Sequence, residues 1–268
     1  MLSRPQLGVC TWTFGDQPLP EIAAFLAELH FDGVELAGDL SRYSAREAGQ
    51  ILQDHGLTPF SLTPQNVDLA HPDTAVRQQA LDYYGRLLDF AAGLGRPLIS
   101  VHGCVGRLRP LTTLAEERKL LATAVRQIAQ QARQRHLHLV FELLNRYETH
   151  LINTSDDALR FLDEVGEPNV TLLLDAFHMN IEEQDMAGAI RRVGDKLGLY
   201  HMADSNRQAI GRGHLKLGDH LWALEDIGYT GPIIFECTVP HADPFAPAAN
   251  EDERTLLKTY YRESRRWF

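Results

Sequence analysis

The chain has 268 residues, 44% of them hydrophobic and 23% charged, with a formal net charge of -10. That balance suits a globular fold of one large domain or two small ones, and it argues against a nucleic-acid partner, which favours a basic face. No run of about 18 apolar residues is present, so no membrane span is expected. Cys10, Cys104 and Cys237 are odd in number and far apart, so no disulfide framework is expected and a reducing cytoplasm fits. The start, MLSRPQLGVCTW, lacks a long apolar core before a cleavage-like site, and no signal peptide is expected.

In chain order, Leu7–Thr13 reads as a first strand and Leu19–Leu29 as a helix, with Ile22, Phe25, Leu26 and Leu29 at helical spacing. Gly33–Leu36 is a second strand, and Ser44–His55 a helix closed by Gly56. Thr58–Thr63 is the third strand, Thr74–Leu94 a long helix, and Leu98–His102 the fourth strand. Thr113-x-x-Glu116 is a capping box that opens a helix running to about His136. His138–Leu143 is strand five, followed by a helix over Thr154–Val165. Val170–Asp175 is strand six, with a short helix over Met186–Val193. Leu197–Ala203 is strand seven, with a helix over Leu217–Ile227 ended by Gly228. Pro232–Thr238 is strand eight, and a helix from about Asn250 to Arg266 closes the chain.

Eight strand–helix units without a composition break predict one domain over residues 1–268, an α/β fold of the single (β/α)8 TIM-barrel type. A doubly wound open sheet is the alternative. It calls for a glycine-rich phosphate loop after the first strand, where this chain reads TFGDQPLPE.

In such a barrel the active site is built at the C-terminal strand ends. Strand five ends on Glu142, strand six on Asp175, strand seven on His201 and strand eight on Glu236. Three carboxylates brought together this closely repel unless a cation neutralises them. Oxygen donors with one imidazole suit Mn²⁺, Mg²⁺ or Co²⁺ better than a thiolate-loving metal. Taken alone, each strand-end acid could equally cap the helix that follows it.

The motifs around these residues resemble a known family. Glu142-Leu-Leu-Asn-Arg-Tyr-Glu148 with Ile152-Asn153-Thr154, Leu174-Asp175-Ala-Phe-His178, His201-Met-Ala-Asp-Ser-Asn-Arg207 and Phe235-Glu236 look like the ketose 3-epimerases related to D-tagatose and D-psicose 3-epimerase. These belong to the xylose-isomerase-like superfamily of sugar (phosphate) isomerases and epimerases. The likeness covers the second half of the chain; the first half matches only as a strand–helix pattern.

The resemblance implies a small-molecule sugar substrate and one divalent metal, commonly Mn²⁺, with Mg²⁺, Co²⁺ or Zn²⁺ as alternatives. Glu142, Asp175, His201 and Glu236 would hold it. Glu142 and Glu236 would double as an acid/base pair, moving a proton at the carbon next to the carbonyl while the metal stabilises the enediolate charge. Glu148, His178 and Arg207 would bind substrate oxygens. Trp12 is a candidate to stack on the sugar, His102 a candidate substrate contact or a buried histidine, and the role of Glu35 is open. A homo-oligomer, dimer or tetramer, is expected.

Two other enzyme readings compete. An aldose–ketose isomerase of the hydroxypyruvate-isomerase type shares much of the pattern, but His201 and Arg207 favour an epimerase. An apurinic-endonuclease-like nuclease would place His102, Glu142, Asp175, His178, His201 and Glu236 around several zinc ions. Against it, Thr63–Gln65 offers no histidine, and the stretch after His201 lacks an Asp-x-His pair. A non-catalytic sugar-binding module fits poorly with an intact ligand set. Beyond Arg207 and Arg212 no Lys or Arg cluster marks a phosphate site after strands seven and eight, which favours an unphosphorylated sugar.

Overall fold

Eight parallel strands pair in sequence order and close on themselves, β8 returning to β1. They are β1 (Leu7–Cys10), β2 (Gly33–Ala37), β3 (Thr58–Thr63), β4 (Leu98–Val101), β5 (Leu139–Glu142), β6 (Val170–Asp175), β7 (Leu197–Met202) and β8 (Ile233–Phe235). The computed structural model describes residues 4–240 and 246–268; residues 1–3, the start of the stretch read above for a signal peptide, lie outside them. The expected barrel is the observed one. Among the described residues the helices are α1 (Leu19–Glu28), α2 (Ala45–Asp54), α3 (Thr74–Gly93), α4 (Leu114–Gln134), α5 (Ser155–Val165), α6 (Ala176–Glu182), α7 (Met186–Val193), α8 (Leu217–Asp226) and α9 (Glu251–Arg265). None is long and apolar enough to cross a membrane.

Several boundaries differ from expectation. The first strand stops at Cys10, and Thr11–Phe14 winds into a 3₁₀ turn that carries Trp12 onto the rim. Strand eight is only Ile233–Phe235, so Glu236 lies just beyond it. Helix α6 was not expected. It starts directly after β6 with Asp175 as its N-cap and is too short, at 7 residues, to show a helical period. The Thr113–Glu116 box is half formed: the Glu116 N–H donates to Thr113 Oγ1, while the Glu116 carboxylate takes the Thr113 hydroxyl. A complete box stands instead at Ser44 and Glu47.

The period of two along a strand decides where the acids go. A small core made of Cys10, Val140, Leu173, Leu199 and Ile234, packed with Trp12, Phe60 and Leu98, is separate from the large core between strands and helices. Two residues on from Val140, Leu173, Leu199 and Ile234 come Glu142, Asp175, His201 and Glu236. Side chains two apart share a face, so the inward face that packs the barrel ends in these four residues at its C-terminal mouth.

Two bulges tune the register. Between β6 and β7, Leu172 pairs with Leu197 but Leu173 with Leu199, which sets Asp175 opposite His201. The skipped residue is Gly198, where a Cβ would lie 2.1 Å from Thr171 Oγ1 and 2.8 Å from Val140 Cγ1, so only glycine fits. Between β2 and β3, Val34 pairs with Pro59 but Glu35 with Ser61, skipping Phe60.

Candidate active site

Glu142, Asp175, His201 and Glu236 meet at the mouth of the barrel. One ligand atom from each lies within 4.8 Å of all the others, and all four side chains are buried. Asp175 does two jobs. Its Oδ1 accepts the Phe177 N–H at 2.6 Å, capping α6, while its Oδ2 has no hydrogen-bond partner among the described residues. That free oxygen faces His201 Nδ1, also without a hydrogen bond, at 3.9 Å; His201 Nδ1 is 3.7 Å from Glu236 Oε2. A buried carboxylate oxygen and a ring nitrogen left unpaired across a short gap are costly unless something between them takes both lone pairs. Three carboxylates and one imidazole are the donors a borderline-hard divalent cation takes.

The two outer carboxylates differ in their surroundings. Burial pushes Glu236 up, but the Arg207 guanidinium, 2.7 Å from Oε2, outweighs it and holds the acid well below the usual range, with help from His201 and the Trp12 indole N–H. That N–H donates to Glu236 Oε1 at 2.6 Å. Glu142 has no such cation against it. Burial drives it well above the usual range, opposed by His201 and reinforced by Glu236, Glu35 and Asp175. So, with no cation at the centre, the surroundings favour the ionised form of Glu236 and the protonated form of Glu142.

Glu148, His178 and Arg207 all line the opening beside this centre, and Asn145 ties two of them together. Its Oδ1 accepts the Tyr147 N–H at 2.8 Å, which fixes the amide so that Nδ2 donates to Glu148 Oε1 and His178 Nδ1, both at 2.8 Å. With Nδ1 accepting, the proton of the neutral His178 ring sits on Nε2, which is buried without a hydrogen-bond partner and lies 3.9 Å from Glu142 Oε1. Burial lowers the His178 pKa well below the ordinary value, so the ring stays neutral.

Arg207 is buried and its backbone is hydrogen-bonded. It is 5% exposed, has φ +62°, and is pinned at both ends of its peptide unit: its N–H donates to Asp204 O and its carbonyl accepts from Thr238, each at 2.7 Å. Its guanidinium lies over the Phe177 ring (5.0 Å) and the Trp12 ring (5.5 Å). Trp12 therefore holds Glu236 and supports Arg207, a tighter role than the stacking expected of it.

The opening above these residues is a cavity of ≈ 330 Å³, at the small end of ligand pockets, which run from about 300 to 1,000 Å³. Trp12, His102, Glu142, Glu148, His178, Arg207 and Glu236 are in its lining, together with Ala37, Gly38, Asp39, Pro64, Gln65, Asn66 and Val105. His102 is buried with Nδ1 turned to its neighbour's carbonyl, Gly103 O. Arg212, the other basic residue noted in the sequence, is paired with Glu263 at 2.6 Å.

Sequence reasoning missed three contributors: Asn145, Phe177 and a network that fixes the loop after β4. In that network Arg107 bridges Asp68 and Glu117, His150 Nε2 lies 2.8 Å from Glu117 Oε2, and Gly106 N–H donates to the Glu148 carbonyl at 2.7 Å. Nothing in the spacing of these residues pairs them; only the approach of three loops does.

The surroundings of Asp175 and Glu148 fix a pH response. Burial raises Asp175 to about 7, reinforced by the Glu236 charge, and raises Glu148 to about 8 against the pull of Arg207. An acid whose folded pKa lies above its unfolded value of about 4 stabilises the fold at low pH. That contribution is lost as pH rises from about 4 through 7 or 8. Glu236, shifted the other way, is fully ionised across this window and adds no slope. Below about pH 6.5 buried His102, His178 and His220, whose pKa values burial lowers, act in the opposite sense, so the melting temperature of protein held in chelator is expected to fall between about pH 6.5 and 8. Added Mn²⁺, which needs ionised carboxylates, should raise it by about 5 °C more at pH 8 than at pH 5. A flat profile in chelator, read by calorimetry or dye fluorescence, would count against this reading.

A closed (β/α)8 barrel with three carboxylates and an imidazole at the C-terminal mouth, beside a small cavity, has the form of a barrel enzyme with a metal-competent centre. The chain belongs to the xylose isomerase-like TIM barrel family, which matches residues 23–268. The L-ribulose 3-epimerase of Methylomonas sp. is 35% identical over 170 residues, 63% of this chain and 59% of that protein. The chain thus aligns with less than two thirds of that relative's length. The 3-dehydro-D-guloside 4-epimerase of Escherichia coli is 30% identical over 263 residues, 95% of this chain and 99% of that one. The crystal structure of D-psicose 3-epimerase from Clostridium cellulolyticum H10 with D-tagatose superposes with a TM-score of 0.84 at 26% identity, covering 97% of this chain and 98% of that one. These relatives support an enzyme of the isomerase class.

Proposed function

We propose that this protein is a divalent-metal-dependent epimerase of an unphosphorylated keto sugar. The observation that carries the reading is the convergence of Glu142, Asp175, His201 and Glu236, with Glu142 and Glu236 both lining the cavity and pushed in opposite directions by their surroundings. The epimerase names of the relatives support it. The four residues would hold one cation, Mn²⁺ by preference, with Mg²⁺, Co²⁺ or Zn²⁺ as alternatives. When bound, that cation supplies the Lewis-acid charge that makes the C–H next to a carbonyl acidic.

The chain's own residues do the rest. Glu236, kept ionised by Arg207 and Trp12, takes the proton from the carbon beside the carbonyl. Glu142, whose surroundings favour the protonated form, returns one from its own side of the cavity; it would then reach the cation through its unprotonated oxygen. Having exchanged their protons, the two acids are set for the reverse reaction. His178 offers its Nε2–H to a substrate oxygen, and Arg207, with Glu148, fixes the polar groups beside it. The removal and return of one proton at one carbon sets an epimerase apart from an aldose–ketose isomerase, in which the proton moves between neighbouring carbons.

Several features favour an uncharged substrate. Of the charged side chains lining the cavity, Arg207 is the cation, and it already faces Glu236; Asp39 also lines it. A phosphate there would meet like charge. A multi-zinc nuclease centre is disfavoured, since His102 is not in the cluster and turns Nδ1 to Gly103 O. The reading includes a cytoplasmic protein, with cysteines that are free in the structure, and a dimer or tetramer. Exposed Leu108, Leu111 and Tyr147 are in keeping with subunit contact, and light scattering would give the mass.

The test is a product assay by NMR with Mn²⁺-loaded protein against ketoses, ketose phosphates and 3-keto glycosides. Inversion at the carbon next to the carbonyl in a free ketose or a 3-keto glycoside, with phosphates turned over at least about tenfold less well, is expected. An aldose product, or a preference for the phosphates, would overturn the reading.

A further inference from the structure

Glu35 is the one carboxylate at this centre that sits wholly within the first half of the barrel, and it is 0% exposed. A charge so deep is retained only where its oxygens are fully engaged. Its Oε2 accepts from Ser61 Oγ at 2.6 Å and lies 3.1 Å from His201 Nε2. Its Oε1 accepts from Thr63 Oγ1 at 2.5 Å and from Cys10 Sγ at 3.2 Å. The bulge in β3 makes this possible: by skipping Phe60 it sets Ser61 directly across from Glu35, and Thr63, two residues on, falls on the same face. Without it, Phe60 would stand opposite and both hydroxyls would point away.

Three hydrogens already come to Glu35 from Ser61, Thr63 and Cys10, so it is an acceptor toward His201. In the neutral ring that a metal requires, the proton then sits on Nε2 and Nδ1 carries the lone pair. Nδ1 is the atom without a hydrogen bond, 3.9 Å from Asp175 Oδ2 and 3.7 Å from Glu236 Oε2. Cys10 extends the arrangement, lying 3.4 Å from Glu236 Oε1. Cys10, Glu35 and Glu236 also lie close enough together to be considered as ligands of a second ion. The hydrogen bonds from Ser61, Thr63, Cys10 and Trp12 to the two carboxylates occupy that space instead.

We propose that Glu35, held by Ser61, Thr63 and Cys10, is a positioning residue for the metal centre: it fixes His201 in the Nε2–H tautomer and aims Nδ1 at the cation. Histidine ligands commonly owe their affinity to such an outer carboxylate, whose removal weakens metal binding by about 10–100-fold. The inference rests on the metal-dependent reading above and assigns the first half of the chain a part in it.

The test uses Glu35→Gln, which keeps the shape and one acceptor but removes the charge, and Ser61→Ala, which loosens Glu35 while leaving His201 untouched. Mn²⁺ affinity is measured by calorimetric titration and by competition with a chelator. The His201 ring nitrogens are read by ¹⁵N NMR on metal-free protein titrated to a pH at which the ring is neutral. Expected are at least about tenfold weaker Mn²⁺ binding in Glu35→Gln, a smaller loss in Ser61→Ala, and wild-type His201 shifts showing a protonated Nε2. A merely structural Glu35 would lower the melting temperature and leave Mn²⁺ affinity and ring tautomer unchanged, which would overturn the proposal. If wild type binds Mn²⁺ and Glu35→Gln binds it equally, the inference fails and the functional reading stands. If wild type binds no divalent metal, both fall.

Discussion

Glu236→Gln is expected to lower kcat by about 10³-fold, within the range of 10² to 10⁴ that a positioned acid or base contributes, with a small change in KM. Glutamine keeps the size of the side chain, and its one oxygen can accept from Trp12 or from Arg207 while its NH₂ faces the other, so the barrel should hold at some cost in stability. What is lost is the ability to take a proton. Glu142→Gln should cost a similar factor, because a neutral amide mimics the protonated acid in shape but has no acidic proton to give. The two variants should differ in exchange. If Glu236 removes the proton from one epimer and Glu142 from the other, each variant keeps slow solvent exchange with only one of the two epimers. Equal exchange from both epimers in Glu236→Gln would sink the two-acid account.

Loss of the cation is the second large effect. Dialysis against a chelator is expected to reduce activity by at least about 10³-fold, with recovery on adding Mn²⁺ or Co²⁺, since the acidity of the C–H rests on a charge no side chain at this centre supplies. Asp175→Asn should mimic it. The amide still caps α6 through its oxygen, as Asp175 Oδ1 does for Phe177 N–H, so the variant should remain folded. The Oδ2 that faces His201 becomes an NH₂ donor that cannot ligate. Metal content by elemental analysis near one per wild-type chain and near zero in Asp175→Asn is expected. A chelated enzyme with full activity would contradict the metal-dependent reading.

How much of this was legible beforehand follows from what each element depends on. The four strand-end residues were visible because a strand's period and an apolar run are local, and an acid at the end of one stands out. Helix α6 was hidden by its length, and the 3₁₀ turn at Trp12 by a continuous apolar stretch that reads as strand. The two bulges left no mark beyond a glycine at position 198 and a Phe60 between small residues, yet they set Asp175 against His201 and Ser61 against Glu35. The protonation contrast between Glu142 and Glu236 was out of reach from sequence. It depends on Arg207, 29 residues from Glu236 in the chain, lying 2.7 Å from it in space.

The most direct measurement runs the Mn²⁺-loaded wild-type protein in D₂O with a keto sugar it converts, and follows the carbon next to the carbonyl by NMR. One deuterium at that carbon in each molecule of product, with wash-in also into recovered substrate, is the predicted result. Product that retains the original hydrogen at the inverted carbon would contradict proton removal and return by Glu236 and Glu142.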